Sequence, residues 1–500
     1  MILDVAARRA DLTPEREALW WEGCWYTYAE LNERANRTAL LLAGLGVRKG
    51  DRVAIAAHNH LGHLDLILAT AKLGFIFTPL NVRLANPELR ALGEYLRPSV
   101  VLHDDDHETA AREAANGAPL LDLTAMGGEV AARGTSTPAL PTADLTPEDA
   151  QMILLTGGTT GLPKGAMLPY RQVFYNAVNT VFSWGLRDDD TVVQSTPCYH
   201  AAVNVFTTPL FHLGGRTILQ GKFDPAEYLR LVEELGATVL FLVPTMYAML
   251  AADPSFRTRD LSGVRWAISG GAACPEPVRR AFAARGVRFR QGYGLTEAGV
   301  NCFAITLDQA EERPESVGKP LLHAEAAVRR QDGSVCGPGE VGELTLRGPH
   351  VFLGYFDRPE ATAQALRGGW LWTGDLASVD EDGFFTIVGR RKEMFISGGE
   401  NVFPAEVEAA LYDHPAVLEC AVLGVNDERW GEVGLAEVVV RPGSNVGKEE
   451  LREHLLGRLA RYKVPKYIEL TDELPKSGAG KILKTALRER FERASKGGEA

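Results

Sequence analysis

Between residues 28 and 291, short apolar runs alternate with segments of helical periodicity, and this alternation narrows the fold more than any other feature of the chain. Tyr28, Leu31, Ala35, Ala39, Leu42 and Leu45 recur at near-helical spacing and stop at Gly46 and the Lys49-Gly50 turn. Buried strands are expected at 52–56, 75–78 and 99–103, with helices at 64–73 and 87–96 between them. The rhythm resumes with a strand at 191–195, a helix or buried apolar stretch at 203–213, a strand at 217–219, a helix at 225–235 and strands at 238–243, 266–269 and 289–291. Such a pattern predicts an α/β fold with many parallel pairings.

Two changes of texture follow. From 325 to 356 short alternating strands with Gly turns predict a small β subdomain. After Gly389 the charged run Arg390-Arg391-Lys392-Glu393 opens a compact pattern, with a helix at 405–411, strands at 418–425 and 435–440, a helix at 449–459 and a final segment at 475–482. A chain of 500 residues exceeds what one core usually serves, and the last hundred or so suffice for a small domain. The expected division is therefore 1–390, a large α/β domain with the β subdomain, and 391–500, a small mobile α+β domain.

Composition excludes several classes. A hydrophobic content of 45% and a charged content of 24% are those of an ordinary globular protein. The net charge of −12, with no Lys/Arg block to offset it, argues against nucleic acid as a partner. Six scattered cysteines without a Cys-x-x-Cys pair fit a reduced, cytoplasmic setting and not a disulfide scaffold. The first ten residues lack the apolar core of a secretory signal. The apolar run at 64–80 contains Asp65 and Lys72, so it reads as a buried helix and strand and no transmembrane segment is expected. His58, His60 and His63 do not have zinc-ligand spacing, and polar residues at a helix entrance account for them better.

The chemistry centres on Leu154–Met167, Leu-Leu-Thr-Gly-Gly-Thr-Thr-Gly-Leu-Pro-Lys-Gly-Ala-Met. Gly157, Gly158 and Gly161 permit backbone shapes that a Cβ would block, and Thr156, Thr159 and Thr160 offer hydroxyls. Successive free N–H groups in such a loop make a concavity suited to anions, and Lys164 adds a positive charge. A P-loop would require Ser or Thr after the lysine; here Gly165 follows. Taken alone the stretch is either a phosphate cradle or a Gly/Thr-rich turn between strands. Downstream, the strand at 266–269 runs into Gly270-Gly271-Ala272, small residues that let a flat ligand approach the backbone.

Five islands then require a joint explanation: 156–165, Gly270-Gly271-Ala272, Gly292-Tyr293-Gly294-Leu295-Thr296-Glu297, Thr373-Gly374-Asp375, and Gly389-Arg390 with the distant Lys481. In this order they resemble the adenylate-forming superfamily of acyl- and aryl-CoA synthetases, luciferases and peptide-synthetase adenylation domains. The resemblance covers nearly the whole chain. It implies that the 156–165 loop wraps the β- and γ-phosphates of ATP, with Gly157 standing where the family often has Ser. It implies that Gly270, Gly271 and Ala272 pass along one face of adenine while Tyr293, beside Gly294, stacks on the other. Thr296 and Glu297 would meet the α-phosphate and Mg²⁺, and Asp375 the ribose hydroxyls with help from Arg390. Side by side with these readings, Tyr293 alone could be a core aromatic, Asp375 turn chemistry and Lys481 a solvated loop residue.

By the same resemblance Lys481 is the catalytic lysine of the adenylation step, and Lys392 is the hinge about which the C-terminal domain turns. That rotation would bring Gly398 and Gly399 to the pantetheine arm of CoA. His200 takes the place of an acyl-pocket residue, as gate, packing group or base, with Asn204 and Val205 as further walls. The expected activity is an ATP-dependent acyl-CoA synthetase acting on a small-molecule carboxylic acid, with a fatty acid as leading substrate. The alternatives are an aryl-CoA ligase of the coumarate or benzoate type and a ligase loading a carrier protein. An inactive nucleotide-binding module would have lost Lys481, Glu297 or Asp375, and all three are present. A homodimer is left open.

Overall fold

The computed structural model describes residues 1–132, 143–157, 162–397, 399–427, 431–476 and 482–497. Among them the chain forms a large N-terminal domain and a small C-terminal one. Two sheets of the large domain carry most of the parallel pairing. One has the strand order Phe289–Gln291, Trp266–Ser269, Val239–Leu242, Thr191–Gln194, Arg216–Leu219, Glu17–Trp21, Cys24–Thr27, parallel throughout except for its last pair. The other runs Gly354–Tyr355, Lys164–Pro169, Ala150–Thr156, Ile76–Pro79, Arg52–Ala56, Val100–His103, Leu120–Asp122, and is antiparallel only in its first two pairings.

Two helices join these sheets. Tyr28–Gly44 begins at a capping box in which Thr27 and Glu30 exchange bonds, and it buries Leu31, Ala35, Ala39 and Leu42 along one stripe. Leu61–Leu73 is buried on every side except at Leu73, as an all-round apolar helix must be, and stops at Gly74, whose φ of 80° is the left-handed cap. They pack on each other, the first against the Glu17–Trp21 sheet and the second against Ile76–Pro79 and Ala150–Thr156, so one core runs through both sheets. His60 is a helix-entrance residue, its Nδ1 accepting from the Gly62 amide at 3.0 Å, and His63 is buried beyond it.

The third sheet is antiparallel: Phe303–Ala304, Ser316–Pro320, Phe385–Arg390, Trp370–Val379, Gly342–Arg347, Glu325–Arg329, with Leu366–Arg367 beside Trp370–Val379. The β subdomain is therefore larger than 325–356, and one part of that range lies elsewhere. Gly354 and Tyr355 pair with Met167 and Ala166 at the edge of the second sheet. The sequence texture could not reveal this, because an edge pairing between segments so far apart leaves no periodicity.

The C-terminal domain has the order Glu400–Val402, Phe395–Ser397, Gly431–Val440, Val417–Asp427, with Tyr467–Leu470 parallel to Gly431–Val440. Helices Pro404–Tyr412 and Lys448–Leu456 cover a separate core around Phe395, Val407, Leu411 and Leu451. All six cysteines are free, and Cys24 alone is exposed. Among the described residues no helix is long and apolar enough to cross a membrane.

Candidate active site

Thr156 and Lys164 face each other at the end of an antiparallel hairpin. The Gly/Thr loop therefore connects two adjacent strands and does not open a helix. Gly157 is exposed at its start, while Gly158, Thr159, Thr160 and Gly161 lie outside the described residues. The Thr156 hydroxyl donates to the Lys164 carbonyl at 3.4 Å. The Lys164 ammonium sits 5.0 Å from the centre of the Tyr355 ring, an attractive cation–π placement.

Tyr355 links this lysine to a carboxylate. Its hydroxyl donates to Glu297 Oε1 at 2.8 Å, and Glu297 is 8% exposed on the short turn Thr296–Ala298. Burial, and then the Glu297 charge, hold the Tyr355 phenol far above its ordinary pKa, so it stays a donor. The Glu297 carbonyl also accepts from the Phe352 amide at 2.9 Å, which fastens the turn to the chain leading into Tyr355. Gly294 has a packing reason to be glycine: a Cβ there would collide with the Val300 carbonyl. Sequence reading missed Tyr355, because the only local signal was a Gly-Tyr pair in a segment assigned to the β subdomain.

On the far side of this turn Tyr293 donates to Asp375 Oδ2 at 2.6 Å, and Arg390 Nε lies 3.1 Å from Asp375 Oδ1. Asp375 and Arg390 are opposite each other in adjacent strands, so sheet register creates the ion pair. Asp375 is 6% exposed and both its oxygens are engaged, yet each retains a lone pair for a further donor. The Tyr293 ring meets Phe303 edge to face at 5.8 Å. Glu343, also missed, is buried beneath. It accepts from the Gly374 amide at 3.0 Å and pairs with Arg391 at 3.0 Å.

Gly270 follows the strand Trp266–Ser269, Gly271 adopts φ of 84°, and Gly271 and Ala272 are exposed. His200 is half-buried, with its ring 4.6 Å from that of Tyr199. Asn204 is buried, its amide touching Met152 Sδ at 3.8 Å and its carbonyl oxygen Oδ1 accepting from Thr208 at 3.1 Å. Val205 is packed in the cluster of Trp184, Phe206 and Trp266.

Lys392 stands between two anchored neighbours. Arg391 is held to the large domain through Glu343 and through its amide, which donates to the Gly374 carbonyl at 3.0 Å. Glu393 is held to the small domain by Lys484, at 3.4 Å, which also pairs with Glu408 at 2.8 Å. Burial opposes the Lys484 charge, but Glu408 and Glu393 outweigh it and raise its pKa. Lys392 is shifted the other way, by burial and by Arg390. Gly399, with φ of 89°, turns the hairpin Phe395–Ser397 to Glu400–Val402; Gly398 and Lys481 lie outside the described residues. The structure thus brings Lys164, Glu297 and Tyr355 together, and Tyr293, Asp375 and Arg390 together.

These sites sit on a chain that is matched almost end to end by known proteins. A family described as AMP-binding enzyme matches residues 6–356, and its C-terminal domain matches residues 406–481. The chain belongs to this family of adenylate-forming enzymes. It is an AMP-forming acid–thiol ligase of the acyl- and aryl-CoA type, with ATP and CoA as substrates.

A feruloyl-CoA synthase of Amycolatopsis sp. is 43% identical over 486 residues, 97% of this chain and 98% of that protein. An indoleacetate–CoA ligase of Aromatoleum aromaticum is 36% identical, with 96% of each chain covered. A long-chain-fatty-acid–CoA ligase of Mycobacterium tuberculosis is 34% identical, with 93% of each covered. ATP-bound MatB from Rhodopseudomonas palustris superposes with a TM-score of 0.90 at 32% identity, covering 98% of this chain and 99% of that one. The apo form of the same enzyme, at the same identity, covers 99% of this chain and 100% of its own and gives 0.79.

Proposed function

We propose that the acid is aromatic, of the substituted cinnamate or arylacetate kind. The observation that carries this is the 43% identity to a feruloyl-CoA synthase over 97% of the chain, against 34% to a long-chain-fatty-acid ligase. The tilted ring pair of Tyr199 and His200 supports it, since a further ring can stack against such a pair. The fatty-acid expectation rested on how common that class is, and the relatives do not favour it.

On this reading the 156–165 loop and Lys164 take the phosphates that leave as pyrophosphate. Gly270, Gly271, Ala272, Tyr293 and Gly294 border the base, and Asp375 with Arg390 receives the ribose. Glu297 fits a hard cation: it is a buried carboxylate with one oxygen given to Tyr355, and Mg²⁺ takes one or two carboxylates besides phosphates and water. When bound, Mg²⁺ would offset phosphate charge there. Thr296 faces the α-phosphate.

In the first half-reaction the substrate carboxylate oxygen attacks the α-phosphorus, the bond to the bridging β-phosphate oxygen breaks, and pyrophosphate leaves. Lys481 supplies positive charge as it builds on the phosphoryl oxygens. In the second, the CoA sulfur, its proton lost, attacks the acyl carbonyl and AMP leaves. Between the two, the domain from 391 onward turns about Lys392, exchanging Lys481 for the Gly398-Gly399 loop. His200, Asn204 and Val205 border the acid.

A panel of carboxylates with ATP and CoA, followed by pyrophosphate and AMP release, tests the substrate. Cinnamates or arylacetates should exceed long-chain fatty acids in kcat/KM by about tenfold or more, the discrimination that shape and buried polar groups provide. Fatty acids ahead of every aromatic acid would overturn the reading.

A further inference from the structure

The helix Tyr170–Trp184 carries a polar face that points inward. Gln172, Asn176, Asn179 and Thr180, spaced four, three and one residue apart, are each 0% exposed. Apolar side chains at these positions would pack without losing hydration, so the amides and the hydroxyl call for a reason.

Their partners supply it. Gln172 Nε2 donates to the carbonyl of Thr296 at 2.9 Å. One turn on, Asn176 Nδ2 donates to the carbonyl of Asn204 at 2.6 Å. Asn179 Oδ1 accepts from the His323 amide at 2.9 Å. Thr180 Oγ1 accepts from Asn301 Nδ2 at 2.7 Å, and that same nitrogen donates to the Val205 carbonyl at 3.1 Å. One helix face therefore bonds to the main chain at Thr296, Asn204 and His323, and through the Asn301 side chain it also ties the Thr296–Asn301 turn to Val205.

The grip falls where the backbone is strained. Val300 has φ of 71°, a left-handed conformation that a β-branched residue seldom adopts. Such a residue persists only where its surroundings over-determine it. Here the Val300 amide donates to the Leu295 carbonyl at 3.1 Å, the Cys302 amide to Tyr293 at 3.1 Å, and Gln172 and Asn301 fasten either side.

We infer that Gln172 and Asn176 are positioning residues that keep the α-phosphate turn and the acid-pocket wall in one register, so that the acid seated against residues 204–205 governs how fast Thr296 and Glu297 support adenylation. This rests on the roles proposed for those segments. Its consequence is that a poorly fitting acid lowers kcat and not only apparent affinity, because displacement of the wall reaches the turn through a single rigid helix.

The test uses the full chain carrying Gln172→Met, Asn176→Leu or Thr180→Val, each close in volume to the original. ATP–pyrophosphate exchange is measured across the acid panel with kcat and KM separated, beside thioester formation from supplied acyl-AMP and the melting temperature. Gln172→Met should lower exchange kcat about tenfold with KM for ATP within about twofold, and leave the thioester step unchanged. Asn176→Leu should raise KM for the acid and reorder the panel.

An unchanged exchange kcat in folded Gln172→Met, or an equal loss in both half-reactions that follows melting temperature, would overturn the inference. Should Gln172→Met fail to fold, Thr180→Val decides: a reordered panel supports the inference and an unchanged one overturns it. Wild-type enzyme that activates no aromatic acid would sink the substrate reading alone, and the variants would then be read with whichever acid it accepts.

Discussion

The two domains contribute to the proposed nucleotide site in different ways. On the large domain, side chains from segments far apart in sequence are tied to one another before any substrate arrives: Tyr293 to Asp375, Asp375 to Arg390, Tyr355 to Glu297. The small domain is joined to this assembly across Lys392, which lies between a residue anchored on one side by Glu343 and a residue anchored on the other by Lys484. Preorganised donors and charges lower a barrier because they need no rearrangement as the reaction proceeds. A group that serves only one of two half-reactions must instead be brought and withdrawn. The contrast fits the proposed roles, in which the fixed half binds and places the α-phosphate and the joint makes the change between half-reactions.

Removing the cation proposed for the adenylation step should have the largest effect. Lys481→Ala is expected to lower adenylate formation by about 10²–10³ while sparing thioester formation from supplied acyl-AMP, as loss of one transition-state charge partner does. Equal loss in both would erase the contrast. Next comes the fixed half. Asp375→Ala removes the acceptor of Tyr293 and the partner of Arg390, and should lower kcat/KM for ATP in pyrophosphate exchange by about 10–100-fold.

Stiffening the joint should cost less and cost it selectively. Lys392→Pro is expected to depress thioester formation about tenfold with adenylation within about twofold, since proline fixes φ at the joint. Comparable losses in both steps would remove Lys392 from the hinge.

The smallest effect is on stability, and it separates the domains by pH. Burial lowers the pKa of His63 to about 3 and of His212 and His350 to about 4, all in the large domain. Below the ordinary value of 6.5 the unfolded chain takes up protons that the folded chain refuses, so stability falls as pH drops from there toward 4. Lys484 has a raised pKa, so its contribution is complete below the ordinary lysine value of 10.5 and is lost as pH rises through the folded value. Melting followed by a probe in each domain should show the large domain weakening first in acid. The alkaline weakening of the small domain should be smaller in Lys484→Met.

Much of this fold was legible in the sequence because burial and periodicity coincide. The strands at 52–56 and 266–269 stand where expected, and the helix at 64–73 starts three residues early, at Leu61. In the C-terminal domain the helix at 405–411 became Pro404–Tyr412, and the strand at 418–425 became Val417–Asp427. The loop at 156–165 left its two readings open, and the hairpin register settles only that it joins adjacent strands.

What stayed hidden depends on partners that sequence does not display. Tyr355 acquires its role by pairing beside Ala166, and Glu343 by lying under Gly374 and Arg391. The buried polar residues 172, 176 and 179 find their partners only once distant segments are folded around them. The acid was hidden for another reason: its pocket draws on distant segments, and small differences in shape choose among substrates.

Tyr355 has one consequence for ion selectivity. Its phenol stays protonated and keeps hold of Glu297 Oε1, so the carboxylate has only its second oxygen fully free for a cation. Calcium readily accepts a carboxylate through both oxygens in a loose shell, whereas magnesium demands a compact octahedron with mostly water and phosphate around it. On the cation role proposed for Glu297, a carboxylate with one oxygen already accepting from a phenol would favour the smaller ion. The fold would set that preference in advance, through a tyrosine contributed by the edge strand beside the 156–165 loop.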